Sequence, residues 1–123
     1  MFINDEALKF HLKKLQNTCS EAIVIVEGKR DVAALKSLLN ADFFTLNNGT
    51  KRSLYETAEH IASKNRSAIL LLDIDAKGME LRKKMSSYLR SHGVRVLVEE
   101  KLLKLARVRN VEDLCSVVNV ESL

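Results

Sequence analysis

Short apolar runs recur along the chain, and a break of charged, Asn or Gly residues follows each of them. The runs predict β-strands near residues 22–26, 43–46, 68–72 and 94–98. Those at 22–26 and 68–72 contain no polar residue, which is typical of strands buried on both faces of a parallel sheet.

Between these runs, apolar residues recur every three or four positions, which predicts amphipathic helices. The expected helices include an N-terminal helix over 4–17 capped by Asn4, helices over 53–64 and 78–92, and two short pieces in a C-terminal helical tail, 99–123. Strands that alternate with helices form right-handed βαβ units. The pattern therefore predicts an α/β fold with a four-stranded parallel sheet and helices on both of its faces.

The length of 123 residues fits a single domain, 1–123, and the alternating pattern occupies about residues 20–98 of it. The net charge of +4 and the pI of about 9.2 suit a polyanionic partner, although many proteins without one are equally basic. No run approaches a membrane span, and the first residues lack the features of a signal peptide. Cys19 and Cys115 lack metal-type spacing, so two free buried thiols are expected. We expect a soluble, cytoplasmic protein.

Acidic residues directly follow two of the wholly apolar strands. Glu27 comes after the first strand, and Asp73 and Asp75 come after the third. In such sheets, ligands bind beyond the carboxyl ends of the strands, where the three carboxylates are expected to converge. Crowded carboxylates favour a cation, and hard oxygen ligands suit Mg²⁺, with Mn²⁺ as the alternative. The competing interpretation is that each acid only caps the helix that follows it.

Basic and amide side chains accompany the acids at the same predicted edge. Lys29 and Arg30 follow Glu27, and Asn48, Gly49, Lys51 and Arg52 follow the second strand. These residues are candidate phosphate ligands, because cationic side chains and backbone N–H groups bind phosphate oxygens. Solvated cations and an ordinary turn are equally good interpretations.

Several other polar residues are expected to serve structure rather than chemistry. Asp31 is expected to charge the first turn of its helix, and Glu112 and Asp113 to serve a helix start. His11, His60 and His92 show no ligand spacing and are expected at the surface, as is the basic cluster near residues 101–109. Tyr55 and Tyr88 are expected to be half-buried packing residues.

Two segments resemble the motifs of the Toprim family. The segment 23–31, IVIVEGKRD, resembles the first motif, an apolar strand followed by Glu-Gly. The segment 73–78, DIDAKG, resembles the second, an Asp-x-Asp after an apolar strand. The likeness covers about residues 20–98 and is closest to small stand-alone Toprim proteins, many of them archaeal, and to the small-ribosomal-RNA maturase ribonuclease.

The resemblance implies a Rossmann-like Toprim fold and roles for three residues. Glu27 corresponds to the family's general acid or base, and Asp73 and Asp75 correspond to its Mg²⁺ ligands. The implied partner is nucleic acid, with RNA favoured over DNA. One hypothesis is a Mg²⁺-dependent nuclease that acts on structured RNA. The alternative is a non-catalytic accessory module within a larger complex, with protein partners.

Overall fold

Four parallel strands form one sheet in the order β2-β1-β3-β4. A computed structural model of the chain describes residues 6–118. The strands are β1, β2, β3 and β4, which span Ala22–Val26, Asp42–Thr45, Ser67–Leu70 and Val96–Val98 respectively. The predicted sheet is confirmed. The wholly apolar β1 and the mostly apolar β3 lie at its centre, where neighbours on both sides satisfy their backbone groups.

The strand ends differ from the sequence prediction by one or two residues. Strand β3 ends at Leu70, whereas the apolar run continues to Leu72. Leu71 and Leu72 are nevertheless buried, and the Leu71 N–H donates to the Ile25 carbonyl at 3.0 Å. The apolar run therefore records burial, which continues past the last strand residue.

Six α-helices and one 3₁₀ turn connect and follow the strands in the described part of the chain. The helices are α1 Glu6–Cys19, α2 Lys29–Lys36, α3 Leu54–Ala62, α4 Ala76–Ser91, α5 Lys101–Ala106 and α6 Leu114–Val117. The 3₁₀ turn spans Val111–Asp113 and directly precedes α6. The predicted cap Asn4 lies outside the described residues.

The helices cover both faces of the sheet, as predicted. Helices α1, α2, α5 and α6 pack on one face, where Leu12, Leu35 and Leu103 meet Val24 of β1. Helices α3 and α4 pack on the other face in a second apolar cluster. Two separate clusters of buried side chains therefore hold the two layers against the sheet, and the site at the sheet edge rests on a packed frame.

The C-terminal tail folds back onto the chain just after β3. The Ile74 N–H donates to the Arg109 carbonyl at 2.7 Å, and the Arg109 Nε–H donates to the Ile74 carbonyl at 3.1 Å. Arg109 is exposed, as expected for the basic cluster, and it also connects the tail to the segment that follows β3. One backbone–backbone and one side chain–backbone hydrogen bond therefore hold the tail beside the chain that follows β3.

His11 is not the surface residue that its helical position suggested. Its Nε2 atom lies 2.9 Å from the Glu99 Oε2 atom, and only 5% of the Glu99 side chain is exposed. The same Oε2 atom accepts the Leu102 N–H at 2.9 Å. The His11–Glu99 pair therefore connects α1, the end of β4 and the start of α5.

The remaining broad expectations concern membranes and thiols. No helix within residues 6–118 is both long and apolar enough to cross a bilayer. Cys19 and Cys115 are both free thiols, as expected. Burial was the wrong expectation for Cys115, because it lies on the exposed side of the short helix α6.

Candidate functional site

The carboxyl ends of β1 and β3 open into one cleft of about 410 Å³. These strands are direct neighbours, with Ile25 paired to Leu70, so the residues that follow them meet at one edge of the sheet. The side chains that line the cleft include four acids and two cations, and the lining consists of Glu27, Gly28, Lys29, Arg30, Asp31, Asn47, Asp73 and Glu112.

Asp73 lies in the cleft wall and is fixed by the C-terminal tail. Its Oδ1 atom accepts the Val111 N–H at 2.7 Å. Burial raises the pKa of Asp73, the Val111 hydrogen bond opposes that rise, and the charges of Asp75, Glu27 and Glu112 add to it. The carboxylate is therefore held in a place where its own negative charge is disfavoured.

Asp75 takes the capping position that the competing interpretation predicted. It is the N-cap of α4, and its Oδ1 atom accepts the Gly78 N–H at 2.7 Å. It does not line the cleft, although its charge acts on Asp73. Capping occupies one of its two oxygens, so this role and a metal-binding role are compatible.

Gly78 allows α4 to approach the Asp73 backbone closely. A Cβ atom at this position would lie 2.0 Å from the Asp73 carbonyl oxygen and 3.1 Å from the Asp75 Oδ1 atom. Any side chain would collide with backbone, so only glycine fits here without a shift. The Gly of the Asp-x-Asp segment therefore sets the relative position of its two acids.

Glu27 is engaged by a cation that the sequence patterns did not single out. Lys77 Nζ lies 2.7 Å from Glu27 Oε1, and 72% of the Lys77 side chain is exposed. The hydrogen bond and the charge of Glu27 raise the pKa of Lys77. An ammonium group of the second motif segment therefore lies beside the acid of the first segment.

Two further acids belong to the cleft although sequence reasoning gave them structural roles. Asp31 does serve its helix start, because its Oδ2 atom accepts the Gly28 N–H at 3.0 Å, but it is also buried in the cleft wall. Burial raises its pKa, and the charges of Asp73, Glu27 and Glu112 raise it further. Glu112 arrives from the tail, and no local sequence signal marks that contact.

The six phosphate-binding candidates fall into two groups. Lys29 and Arg30 line the cleft at the start of α2. Asn48, Gly49, Lys51 and Arg52 are exposed and lie outside its lining. Asn48 forms a turn, because its Oδ1 atom accepts the Thr50 N–H at 3.1 Å and Gly49 has a φ of +81°. The ordinary-turn interpretation accounts for Asn48 and Gly49.

The side chains at this edge offer the type of donor atom that a hard divalent cation prefers. These atoms are carboxylate oxygens, and the crowding that raises the pKa values of Asp31 and Asp73 is relieved by a bound cation. In this conformation, no three His, Cys, Asp or Glu side chains of residues 6–118 stand close enough together to hold a metal ion. The chemistry of these donors therefore suits a divalent cation, but their positions among the described residues do not form a metal site.

Comparison with known protein families identifies the class. The Toprim domain family matches residues 22–101, which include both motif segments and the whole sheet. The chain therefore belongs to the Toprim domain family, as the motif resemblance indicated. Toprim domains generally bind Mg²⁺ and act on nucleic acids.

Relatives and solved structures agree with this assignment. A UPF0292 protein of Methanosarcina barkeri is 32% identical over 93% of this chain and 87% of its own length. One of Thermococcus gammatolerans is 40% identical over 76% of this chain and 71% of its own. A protein from Aquifex aeolicus superposes with a TM-score of 0.70 at 28% identity, covering 89% of this chain and 99% of that one. A small TOPRIM domain protein from Bacillus stearothermophilus superposes with a TM-score of 0.52 at 25% identity, covering 84% of this chain and 96% of that one. The expected likeness to small archaeal proteins is confirmed.

Proposed function

We propose that this protein is a Mg²⁺-dependent nuclease that hydrolyses phosphodiester bonds in structured RNA. The observation that carries the proposal is the composition of the cleft. Acids from two neighbouring strand ends, Glu27 and Asp73, face the same space as Lys29 and Arg30. Acids alone would repel a phosphate, and cations alone would only bind it. Their combination suits a metal-assisted reaction on a phosphate.

The proposed roles follow from position and chemistry. Asp73, Asp75 and Glu27 are the proposed holders of Mg²⁺, or of Mn²⁺ in its place. When bound, the ion stabilises negative charge that develops on a phosphate oxygen. Lys29 and Arg30 hold the substrate backbone through charge-assisted hydrogen bonds.

We assign the proton transfers to Glu27, which directly follows the last residue of β1. It takes a proton from the attacking water or returns one to the leaving oxygen. The Lys77 ammonium bonds only the Oε1 atom, which leaves the Oε2 atom of Glu27 available for that proton.

The proposed preference for RNA over DNA rests on the motif likeness to the ribosomal-RNA maturase, and the preference for structured over single-stranded RNA rests on the scarcity of aromatic residues. Aromatic residues are 5% of the chain and Trp is absent, so few rings are available to stack on bases. Double-stranded RNA regions are recognised mainly through shape and backbone contacts, which need no base stacking. The proposed cellular location is the cytoplasm, where free thiols such as Cys19 and Cys115 are ordinary.

A second candidate function is non-catalytic docking of nucleic acid within a larger complex that includes protein partners. The observation that favours it is the ion pair of Glu27 with Lys77, which engages the proposed general base. In that case the cleft would bind a metal-bridged phosphate without turnover.

Cleavage of a labelled RNA hairpin separates the two candidates. We expect cleavage in Mg²⁺ that stops on addition of a chelator and is lost in Glu27→Gln, which keeps the shape of the side chain. Glu59→Gln on the exposed side of α3 is the matched control and should retain activity. Metal-dependent binding without cleavage would select the docking function. No binding of a hairpin, a single strand or duplex DNA at low salt would reject both.

A further inference from the structure

A second groove of about 500 Å³ lies between helix α4 and the edge strand β4. It is lined by Arg82, Lys83, Ser86, Ser87, Arg90 and Val98. Among residues 6–118, strand β4 pairs with β3 alone, so this groove runs along an edge of the sheet. The groove shares no residue with the acidic cleft at the carboxyl edge.

The polar side chains of this groove can donate hydrogen bonds to an anion. Three are cationic, two are hydroxyls, and none of the described residues that line the groove carries a carboxylate. Guanidinium, ammonium and hydroxyl groups are the usual protein partners of phosphate oxygens. The lining therefore favours a polyanion, although the Glu100 carboxylate that pairs with Arg82 offsets one of its three positive charges.

Helical spacing arranges these donors in a row. Arg82, Ser86 and Arg90 are four residues apart and share one side of α4. Ser86 is buried, and its Oγ atom accepts a hydrogen bond from Arg90 Nη1 at 2.5 Å, so Arg82 and Arg90 are the cations of the row. From Arg82 to Arg90 the helix rises about 12 Å, the axial length of about three phosphates of one strand. The row thus matches a continuous nucleic-acid backbone better than a single small anion.

Two cations that line the groove, Lys83 and Arg90, are not paired with a carboxylate among the described residues. Arg82 is already paired with Glu100, which also pairs with Lys104 at 3.1 Å. Lys83 and Arg90 are exposed, and neither forms an ion pair within residues 6–118. Lys83 and Arg90 are therefore the residues on which binding would depend.

We infer that the α4–β4 groove is a second nucleic-acid contact, which holds the phosphate backbone of a substrate whose scissile region lies in the acidic cleft. This inference rests on the proposed function, because it extends the same substrate along the molecule. Helix α4 begins at Ala76, directly after its N-cap Asp75, and reaches Arg82 after about 9 Å, so one strand can touch both places. The contact is to phosphates and is independent of metal, unlike binding at the cleft.

The test is the salt dependence of binding of an RNA hairpin long enough to span both places, measured by fluorescence anisotropy in chelator and in Mg²⁺. The variant is Lys83→Ala with Arg90→Ala. The matched control is Lys13→Ala with Lys14→Ala, which removes the same charge from α1 on the opposite face of the sheet. Lys83→Arg with Arg90→Lys keeps the charge and tests whether charge suffices. Thermal melting verifies that each variant is folded.

We expect the Lys83/Arg90 double variant to bind at least about tenfold more weakly at 0.1 M salt, and its salt slope to fall by about 2. The loss should be equal in chelator and in Mg²⁺, and the control and the charge-conserving variant should retain most of the affinity. An equal loss in the control would show a general charge effect and overturn the inference. Unchanged binding by the double variant would overturn it while leaving the cleft proposal intact. A wild-type protein that binds no nucleic acid would overturn both proposals.

Discussion

The backbone N–H of Val111 donates to the Oδ1 atom of Asp73 at 2.7 Å, across 38 positions of sequence. This bond attaches the C-terminal tail to the cleft. It also orients Asp73, the first acid of the Asp-x-Asp segment. The same tail turn brings Glu112 into the cleft wall. The tail is therefore a part of the candidate site, and not only a cover for one face of the sheet.

The first prediction concerns the metal. Wild-type protein should bind Mg²⁺ or Mn²⁺ saturably and gain about 2.7 kcal/mol of stability when the ion is present at 100 times its Kd. Asp73→Asn with Asp75→Asn should abolish both effects, because it removes two ionised donors while leaving oxygens to accept from Val111 and Gly78. Isothermal titration and melting curves measure the two effects. Undiminished binding in the double variant would place the ion elsewhere.

The second prediction is a pH dependence without metal. The pKa values of Asp31 and Asp73 are raised in the folded state by burial and by neighbouring acids. Their contribution to stability is full below the ordinary carboxyl pKa and is lost as the pH rises through the raised values. Wild-type protein should therefore lose stability relative to Asp73→Asn over this range, by at most about 1.4 kcal/mol per pH unit for one proton. Urea unfolding at a series of pH values measures the difference, and a gain in its place would contradict the assigned cause.

The third prediction concerns Gly78. Gly78→Ala places a Cβ 2.0 Å from the Asp73 carbonyl oxygen, so it should destabilise the protein by roughly 1–3 kcal/mol. It should also weaken Mg²⁺ binding, because Asp73 and Asp75 are pushed apart. Gly28→Ala is the matched control, since nothing lies within 4 Å of its Cβ position. Gly28→Ala should lower the free energy of unfolding, measured by chemical denaturation, by less than about 1 kcal/mol. Equal losses in the two variants would refute the steric argument.

The sequence predicted the sheet well because the apolar run that indicates a buried strand is a local pattern. Ala22–Val26 and Ser67–Leu70 owe their mostly apolar composition to burial at the centre of a parallel sheet. Glu27 directly follows the first strand, and Asp73 follows the buried residues that extend the second. Hydrophobic pattern alone did not give the end of β3, because Leu71 and Leu72 are buried beyond the last strand residue.

The sequence did not reveal contacts that join distant segments. His11 and Glu99 are 88 positions apart, and nothing near either residue marks the pair. Glu112 reaches the cleft only because the Ile74–Arg109 and Asp73–Val111 bonds return the tail to the sheet. Such contacts depend on the assembled fold, which periodicity and motif spacing do not encode.

The fourth prediction tests that distant pair. Glu99→Ala should destabilise the protein by about 1–3 kcal/mol, because it leaves His11 and the Leu102 N–H without their buried acceptor. Glu99→Gln should cost less, since the amide oxygen still accepts one of these bonds. Glu59→Ala on the exposed side of α3 is the control and should lie within about 0.5 kcal/mol of wild type. A Glu99→Ala variant as stable as this control would show that the pair contributes nothing to folding.

The fifth prediction separates the two groups of candidate phosphate ligands. Lys29 and Arg30 line the cleft, whereas Lys51 and Arg52 extend from an exposed turn outside its lining. Because phosphate contacts carry no base information, both double-alanine variants should weaken nucleic-acid binding across all sequences. Loss of Lys29 and Arg30 should weaken it more and should reduce the benefit of Mg²⁺, since only these cations share the cleft with Asp73. Anisotropy titrations of a hairpin, with and without Mg²⁺ at several salt concentrations, measure both effects. A larger loss in the Lys51/Arg52 variant would move the main phosphate contact from the start of α2 to the turn after β2.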